Sequence, residues 1–411
     1  MNHPESYPPV FRKPINESDD QVTITTTLKN PEEEEEEEPK RDDFFLKDSS
    51  DPVEVVPVID LQDIITNLEQ QHQLEEACRD WGIFRLVNHG VPLNLISQLQ
   101  DQAQKIFSMS FEAKQTLFNN NGSSTPAAVS YFWGTPVLTP SGSVLGNVDP
   151  KKINWVEGLN VRLSQPSDYH DQVSGDPMLD SFRVLLEEYG GHMARLARVI
   201  FEAILKTLNM DSKQYNSKSQ LLSESTSFVR VYRYPKISKA DEEEAVIGMQ
   251  VHTDSSVISI LNQNQVGGLE VFKDDKWFHV RPILNELIVN LGDMMQAICN
   301  DEYASVKHRV KANKHKERFS ICYFMFPAED GVIRSSKYKP FTYKDFQAQV
   351  QHDVKTLGFK ILFNNNNGRT PVAVSYSWGT PILTPSGSIP NIVDPEKSTS
   401  LKDSMFWRSH A

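Results

Sequence analysis

Cysteine is scarce in this sequence, with three residues in 411. Their positions, 78, 299 and 322, match neither a CxxC redox pair nor a zinc cluster. The chain has no run of 18 apolar residues and no apolar stretch of the signal-peptide kind near its first residue. These absences exclude a small disulfide scaffold and predict a soluble protein that does not enter a membrane. We expect it in the reducing cytoplasm, with a nuclear pool left open.

The sequence also lacks a concentrated basic stretch. Lys and Arg number 42 against 55 Asp and Glu, which gives a net charge of −13, and seven of the negative charges come from the run at 32–38. A nucleic-acid-binding protein needs a basic face to neutralise phosphates. We therefore do not expect a nucleic-acid partner. The chain is expected to act as a monomer.

Composition divides the chain into four predicted regions. Residues 1–52 are rich in Pro, Glu, Asp, Ser and Thr and are predicted to be a disordered acidic tail. Residues 53–215 mix strand-like and helical patterns, and residues 216–360 are dominated by short strands. Residues 361–411 contain a duplicated segment, which we expect to be poorly ordered.

Hydrophobic spacing predicts the elements of the first half. Strands are expected at 55–60 and 81–87, and a helix between them carries apolar residues from Ile64 to Cys78. Two further helices are predicted from Leu95 to Phe107 and from Leu179 to Leu208. Gly190 and Gly191 suggest a kink in the second of these.

The second half shows a different pattern, in which short strands follow one another without intervening helices. Asp274 and Asp275 are predicted to form a hairpin tip. The predicted strands are 228–234, 249–261, 269–272, 277–280, 287–291, 306–310 and 319–326. This pattern favours a mixed α/β fold with a mainly β core, arranged as a double-stranded β-helix (jelly roll) with flanking helices and an N-terminal mixed region.

One segment occurs twice. Leu117 to Pro150 recurs without gaps as Leu362 to Pro395, with 24 of 34 positions identical. A solenoid needs at least three stacking units. We therefore interpret the second copy as a duplicated, loop-rich piece without the partners that would bury it.

Three residues form a candidate metal site. His252 and Asp254 are two apart in a strand-like run, so their side chains point to the same side. His308 lies 54 residues after His252, on another predicted strand. Two His and one carboxylate are the facial triad of non-haem Fe(II) oxygenases, and Zn²⁺ with the same ligands stays a chemical alternative.

Arg318 and Ser320 form a candidate carboxylate site on the next strand. They are two apart and precede the apolar run from Ile321 to Phe326. A guanidinium inside a barrel needs an anion, and its planar fork suits a carboxylate. From these residues alone, a structural pairing of Arg318 with a barrel Asp or Glu is equally open.

At this point the sequence resembles the plant 2-oxoglutarate and Fe(II)-dependent dioxygenases, whose order is His-x-Asp, about fifty residues, His, ten residues, Arg-x-Ser. The resemblance covers roughly residues 55–360. The shared motifs lie at 57–61, 81–84, 87–90, 265–269, 289–293 and 306–310. Within the family, the segments 130–136 and 317–325 look most like gibberellin 2-oxidases that act on C20 gibberellins.

The resemblance implies roles for individual residues. His252, Asp254 and His308 would hold Fe(II), while Arg318 and Ser320 would bind the distal carboxylate of 2-oxoglutarate. Tyr234 matches the tyrosine that assists there, although Tyr232 stands where the family usually has Asn. Tyr131 and Trp133 are candidate walls of the substrate pocket, since apolar pockets favour aromatic residues.

The reaction that the resemblance implies is hydroxylation of a diterpenoid hormone, with 2-oxoglutarate converted to succinate and CO₂. The expected requirements are Fe(II), 2-oxoglutarate, O₂ and ascorbate as the reductant, and the expected product is a 2β-hydroxylated, inactivated gibberellin. Alternatives are a gibberellin 20-oxidase-type enzyme or oxidation of auxin or another small acid. A catalytically impaired ligand-binding relative is a further alternative, because the family's short C-terminal ending is replaced here by the duplicated segment.

Overall fold

Two β-sheets that face each other organise the chain. The computed structural model describes residues 4–12, 56–64, 67–119, 129–134, 154–163, 176–210, 221–237, 246–357, 360–361 and 375–376. The major sheet has eight strands in the order β1-β2-β10-β7-β12-β5-β4-β3, and the minor sheet has four in the order β6-β11-β8-β9. Apart from the parallel pair β1–β2, the neighbouring strands of both sheets are antiparallel.

The strands of the major sheet are β1 (Val58–Asp60), β2 (Ile83–Val87), β3 (Val129–Trp133), β4 (Glu157–Arg162), β5 (Ser223–Tyr234), β7 (Ile258–Gln263), β10 (Leu287–Leu291) and β12 (Arg318–Phe326). Those of the minor sheet are β6 (Ile247–His252), β8 (Leu269–Lys273), β9 (Lys276–His279) and β11 (Lys307–Lys311). Two short pairs complete the set, β13 (Val332–Ile333) with β14 (Phe341–Thr342) and β15 (Lys360–Ile361) with β16 (Ser375–Tyr376). The facing sheets confirm the predicted jelly-roll core with flanking helices.

The helices of the described residues are α1 (Leu68–Asp80), α2 (Leu93–Ser108), α3 (Phe111–Asn119), α4 (Pro177–Thr207), α5 (Asp293–Ile298) and α6 (Tyr343–Leu357). None of them is long and apolar enough to cross a membrane. Asp176 caps the start of α4, because its side chain accepts hydrogen bonds from the amides of Met178 and Leu179. Pro177 occupies the first helical position, where its missing N–H is not needed. This helix packs on the major sheet and α2 packs on α4.

Two predictions about elements differ from the structure, and one is confirmed. The predicted strand 249–261 is two strands, β6 and β7, in different sheets, because the chain leaves the minor sheet after His252. The glycine pair in α4 produces no break in the helix. Instead, a Cβ on Gly190 would lie 2.4 Å from Cδ1 of Leu163, so the glycine permits close packing. Asp274 and Asp275 do form the predicted hairpin tip, and both have positive φ angles.

The duplicated segment is only partly described. In the first copy, residues 129–133 form β3 in the major sheet. In the second copy, Ser375–Tyr376 pairs with Lys360–Ile361. Within the predicted acidic tail, residues 4–12 are folded into two short 3₁₀ helices, with Tyr7 and Phe11 buried. The rest of residues 1–52 and most of residues 361–411 lie outside the described residues. The boundary at residue 215 lies outside them as well, and all four regional boundaries stay predictions.

Candidate active site

The major sheet has two faces with different surroundings. Its inner face looks toward the minor sheet, as shown by Gly248 on β6, where a Cβ would lie 2.7 Å from Cδ1 of Tyr234. Its outer face looks toward the helices, since the ring of Phe319 lies 6.1 Å from that of Phe107 on α2. Because strand residues alternate, Arg318, Ser320 and Cys322 lie on the inner face of β12.

The predicted triad comes together between the two sheets. His252 at the end of β6 is the register partner of His308 on β11. The Nε2 atoms of His252 and His308 lie 3.9 and 3.8 Å from Oδ1 of Asp254. These distances are too long for hydrogen bonds. One ligand atom from each residue lies within 4.8 Å of the other two, and all three residues are buried.

Backbone groups fix the orientation of both imidazole rings. Nδ1 of His252 lies 2.8 Å from the carbonyl oxygen of Gln250, and Nδ1 of His308 lies 3.1 Å from that of Val306. With a proton on each Nδ1, the ring donates to these carbonyls and leaves Nε2 as a ligand atom. The three donor atoms therefore fit a divalent metal ion, with the orienting contacts expected of such a site.

The loop that carries Asp254 is held by the start of α5. The amide of Asp293 donates a 2.8 Å hydrogen bond to the carbonyl of Asp254. A Cβ on Gly292 would lie 2.0 Å from the carbonyl oxygen of Ser256, so only glycine allows this approach. The predicted turn at Gly292 and Asp293 is thus a support for the metal site. Nδ2 of Asn290 lies 3.5 Å from Oδ2 of Asp254.

Arg318 is buried, with 1% of its surface exposed, and has no acidic partner among the described residues. Its Nη1 donates to Oγ of Ser320 and its Nη2 to Oε1 of Gln263, both at 2.9 Å, while Nε has no partner. Burial lowers the pKa of Arg318, because a charged guanidinium group is less stable away from water. The observed contacts therefore favour a ligand carboxylate over the structural pairing.

Two other buried arginines show the structural alternative. Arg233 forms ion pairs with Glu157 at 2.9 Å and with Glu317 at 2.5 Å. Arg85 pairs with Glu286 at 3.1 Å. At both positions the fold places a carboxylate beside a buried structural guanidinium group. Arg318 differs because no carboxylate of the described residues pairs with it.

Tyr234 lies beside Arg318, as its register partner on β5. The Arg318 guanidinium carbon is 4.9 Å from the centre of the Tyr234 ring. Burial raises the pKa of Tyr234 to about 12, against the opposing effects of Arg318 and Ser320. The phenol is neutral at physiological pH and can donate a hydrogen bond to an anion held by Arg318.

The structure does not bring Tyr131 and Trp133 to the triad. The hydroxyl of Tyr131 donates a 2.5 Å hydrogen bond to Glu157, on the outer face of the major sheet. Trp133 packs edge-on against Phe11 and Phe111. Both side chains point away from the metal site because β3 alternates, and Phe132 is the residue of this strand that lies on the inner face.

A buried ion cluster occupies the outer face behind the candidate site. It consists of Lys114, Glu157, Arg233 and Glu317, with Nζ of Lys114 2.6 Å from Oε2 of Glu157. The N-terminal segment covers it. The carbonyl of Ser6 accepts a 2.6 Å hydrogen bond from Lys114, and the Tyr7 ring lies 4.5 Å from the Arg233 guanidinium carbon.

Sequence reasoning missed Gln263 and Asn290, which contact Arg318 and Asp254, and the inner-face position of Phe132. The alternation of strand residues identifies Phe132 as an inner-face residue once it is known which side of β3 faces inward. Gln263 lies on β7 and Asn290 on β10, so their contacts depend on the strand order of the major sheet. Nothing in the local sequence predicts that order.

Comparison with protein families gives two matches along the chain. Residues 225–327 match the 2OG-Fe(II) oxygenase superfamily. Residues 56–178 match the N-terminal family described as non-haem dioxygenase in morphine synthesis. The first match contains the triad together with Arg318 and Ser320.

Several characterised plant proteins are similar over most of this chain. Gibberellin 2-beta-dioxygenase 8 of Arabidopsis thaliana is 32% identical over 315 residues, which is 74% of this chain and 85% of that protein. Protein DMR6-LIKE OXYGENASE 1 of the same species is 34% identical over 281 residues, or 68% and 74% of the two chains.

Among solved structures, JOX2 in complex with 2OG, Fe and JA matches with a TM-score of 0.60 and 26% identity. The match covers 76% of this chain and 94% of that one. The rice dioxygenase for auxin oxidation matches with a TM-score of 0.55 at 23% identity, which indicates a shared fold.

Proposed function

The chain belongs to the 2OG-Fe(II) oxygenase superfamily, and on this premise we propose that it inactivates a gibberellin by 2β-hydroxylation. It is a dioxygenase that uses iron and 2-oxoglutarate, as the family does. Hydroxylation consumes O₂ and 2-oxoglutarate and releases succinate and CO₂. The gibberellin assignment is supported by gibberellin 2-beta-dioxygenases from Arabidopsis and rice at 32–33% identity.

The observation that carries the catalytic proposal is the group of three ligand side chains between the two sheets, together with a buried arginine on the inner face that has no acidic partner in the part of the chain the structure describes. His252, Asp254 and His308 would hold Fe(II) through two Nε2 atoms and one carboxylate oxygen. This ligand set leaves coordination positions open for the co-substrate and O₂. The bound metal supplies the oxidative decarboxylation that is coupled to C–H hydroxylation.

The chain's own residues bind and orient the co-substrate. Arg318 would bind the distal carboxylate of 2-oxoglutarate through its planar fork, with the hydroxyls of Ser320 and Tyr234 as further donors. Gln263 holds Nη2 of Arg318 in place. Burial of these groups excludes water, which strengthens their interaction with an anion.

Succinate formation tests this function. The purified chain is incubated with Fe(II), ascorbate and 2-oxoglutarate and a panel of C19 gibberellins, C20 gibberellins and indole-3-acetic acid. We expect gibberellin-dependent succinate and a 2β-hydroxylated product, and no turnover by His252→Ala. Succinate released only with indole-3-acetic acid would overturn the gibberellin assignment, and full turnover by His252→Ala would overturn the metal site.

A parallel sample ending at Lys360 tests the duplicated segment. Equal hormone-dependent succinate from both chains is expected if residues beyond 360 take no part in catalysis. If neither chain turns over any hormone although both bind Fe(II), the protein is a ligand-binding relative.

A further inference from the structure

A second arginine, Arg230, lies on the inner face of the major sheet. It is four residues before Tyr234 on β5, so strand alternation places both side chains on the same face. Its register partners are Cys322 on β12 and Asn160 on β4. Four residues of strand span about 13 Å, which separates Arg230 from the proposed 2-oxoglutarate end of the barrel.

The space between the two arginines adjoins the metal site. Cys322, the register partner of Arg230, stands four residues after Arg318 on the same face. Burial raises the pKa of Cys322, and the Asp254 carboxylate adds to the rise, while Arg230 and Arg318 oppose it. Strand register gives the geometry: Asn290, which contacts Asp254, pairs with Ser259 on β7, and Ser259 pairs with Phe324 on β12. The ring of Phe324 lies 5.7 Å from the guanidinium carbon of Arg230, so the Asp254 carboxylate lies at the level of the sheet that carries Arg230.

Aromatic rings and an amide hold the Arg230 guanidinium in place. Its central carbon is 5.1 Å from the centre of the Phe228 ring and 5.7 Å from that of Phe324. Its Nε donates to Oδ1 of Asn160 at 3.4 Å, and its side chain also hydrogen-bonds to Tyr232. Tyr232, which replaces the family's usual Asn, thus helps to position this cation.

This setting suits an anion on an apolar molecule. A half-buried guanidinium between aromatic rings gains more from a carboxylate than it would in water, and the rings contribute apolar contact area beside the charge. Phe132 lies on the same face, with its ring 6.0 Å from that of Tyr232. Charged groups nearby include Arg162 and Glu329, which, like Arg230, act on Tyr343.

We propose that Arg230 binds a carboxylate of the organic substrate and so selects carboxylic acids with a large apolar body. The inference deepens the proposed function and rests on it, since it assigns the barrel between the two arginines to the substrate. The 2-oxoglutarate carboxylate would be held at Arg318 and the substrate carboxylate at Arg230, with the reacting C–H bond presented to the metal between them.

Calorimetric binding tests this assignment without turnover. The full chain is loaded with Mn(II) and 2-oxoglutarate and titrated with a C19 gibberellin, a C20 gibberellin, indole-3-acetic acid and the methyl ester of each. We compare wild type, Arg230→Gln and Arg230→Lys with Arg198→Gln, which removes an exposed arginine paired with Glu224 on the surface. Affinity for 2-oxoglutarate is measured separately for each protein.

We expect Arg230→Gln to weaken binding of a free acid at least tenfold and binding of its ester less than twofold. Arg230→Lys should retain part of the preference for the acid, because it keeps the charge without the fork. Arg198→Gln should match wild type, and the affinity for 2-oxoglutarate should stay the same in all four proteins.

The outcomes separate this inference from the proposed function. Arg230-dependent binding of indole-3-acetic acid with no gibberellin binding would overturn the gibberellin assignment and support the role of Arg230. Gibberellin binding that Arg230→Gln leaves unchanged, or weakens equally for acid and ester, would overturn the role of Arg230 and leave the function standing. Failure of wild type to bind any of the acids would overturn both.

Discussion

Arg233 and Tyr234 are neighbours in β5, yet their side chains serve opposite faces of the major sheet. Arg233 donates to Glu157 and Glu317 in the outer ion cluster, whereas Tyr234 lies against Arg318 on the inner face. Glu317 and Arg318 repeat this relationship at the start of β12. The outer ion cluster contains Arg233 and Glu317, and it therefore fixes the backbone next to Tyr234 and Arg318 at the proposed 2-oxoglutarate site.

Arg318→Met should weaken the binding of 2-oxoglutarate far more than the binding of the hormone. Removing the guanidinium deletes charge-assisted hydrogen bonds worth about 1.5–3 kcal/mol each, so we expect the KM for 2-oxoglutarate to rise on the order of 100-fold. Steady-state succinate formation at varied 2-oxoglutarate measures the change, with Arg198→Met as the surface control. Equal losses for 2-oxoglutarate and hormone would contradict the assigned role.

Gly292→Ala should loosen the metal site. The new Cβ would lie 2.0 Å from the carbonyl of Ser256, so the loop that carries Asp254 must shift. We expect at least tenfold weaker Mn(II) binding, measured by calorimetry. Gly191→Ala is the matched control, because nothing lies within 4 Å of its Cβ and alanine should stabilise α4 by about 0.5–1 kcal/mol. Unchanged Mn(II) affinity in folded Gly292→Ala would refute the proposed support.

Lys114→Met should destabilise the fold strongly. Nζ of Lys114 is fully buried and bonded to Glu157 and to the carbonyls of Ser6 and Phe107. Breaking a buried ion pair by removing one partner costs about 3–5 kcal/mol. Urea unfolding at pH 7 measures the loss, and Lys105→Met on the exposed side of α2 should change stability by under about 0.5 kcal/mol. A loss below 1 kcal/mol for Lys114→Met would mean that the cluster is not a brace.

Glu270 should make stability depend on pH in the acid range. Burial alone would raise its pKa, but hydrogen bonds from His279, Lys311 and Arg309 hold the pKa at about 2, below the ordinary value of 4.5. A depressed pKa gives stability that is present above 4.5 and lost as the pH falls towards 2. We expect a contribution of the order of 2 kcal/mol, because the partner side chains are 21–27% exposed and solvent weakens their interaction with the carboxylate.

Urea unfolding of wild type and Glu270→Gln at several pH values measures this contribution. The difference in the free energy of unfolding should be largest near pH 7 and should shrink as the pH falls from 5 towards 3. A difference independent of pH would show that packing, rather than the charge of Glu270, stabilises this part of the minor sheet.

Local spacing predicted the residues of the triad, while contacts between distant strands decided the rest. His252 and Asp254 are two apart on one predicted strand, and His308 lies on a later predicted strand, so the sequence identifies all three as candidates, whereas the register that brings His308 opposite His252 is seen only in the structure. The pattern does not show which face of a strand points inward, so it favours Tyr131 and Trp133 as pocket residues, although Phe132 is the one on the inner face. The Glu157 that holds Tyr131 outward is brought there by sheet pairing between β3 and β4.

Gly158 on β4 limits which substitutions this part of the major sheet can accept. A Cβ at this position would lie 2.5 Å from Cζ of Phe132 and 2.8 Å from the backbone carbonyl oxygen of Val231 on β5. Exchange of glycine for alanine takes one nucleotide change, but both the ring and the neighbouring strand would then have to move away from β4. The packing of β4 against β5 therefore opposes the loss of glycine at this position during evolution, independently of the metal ligands and of Arg318.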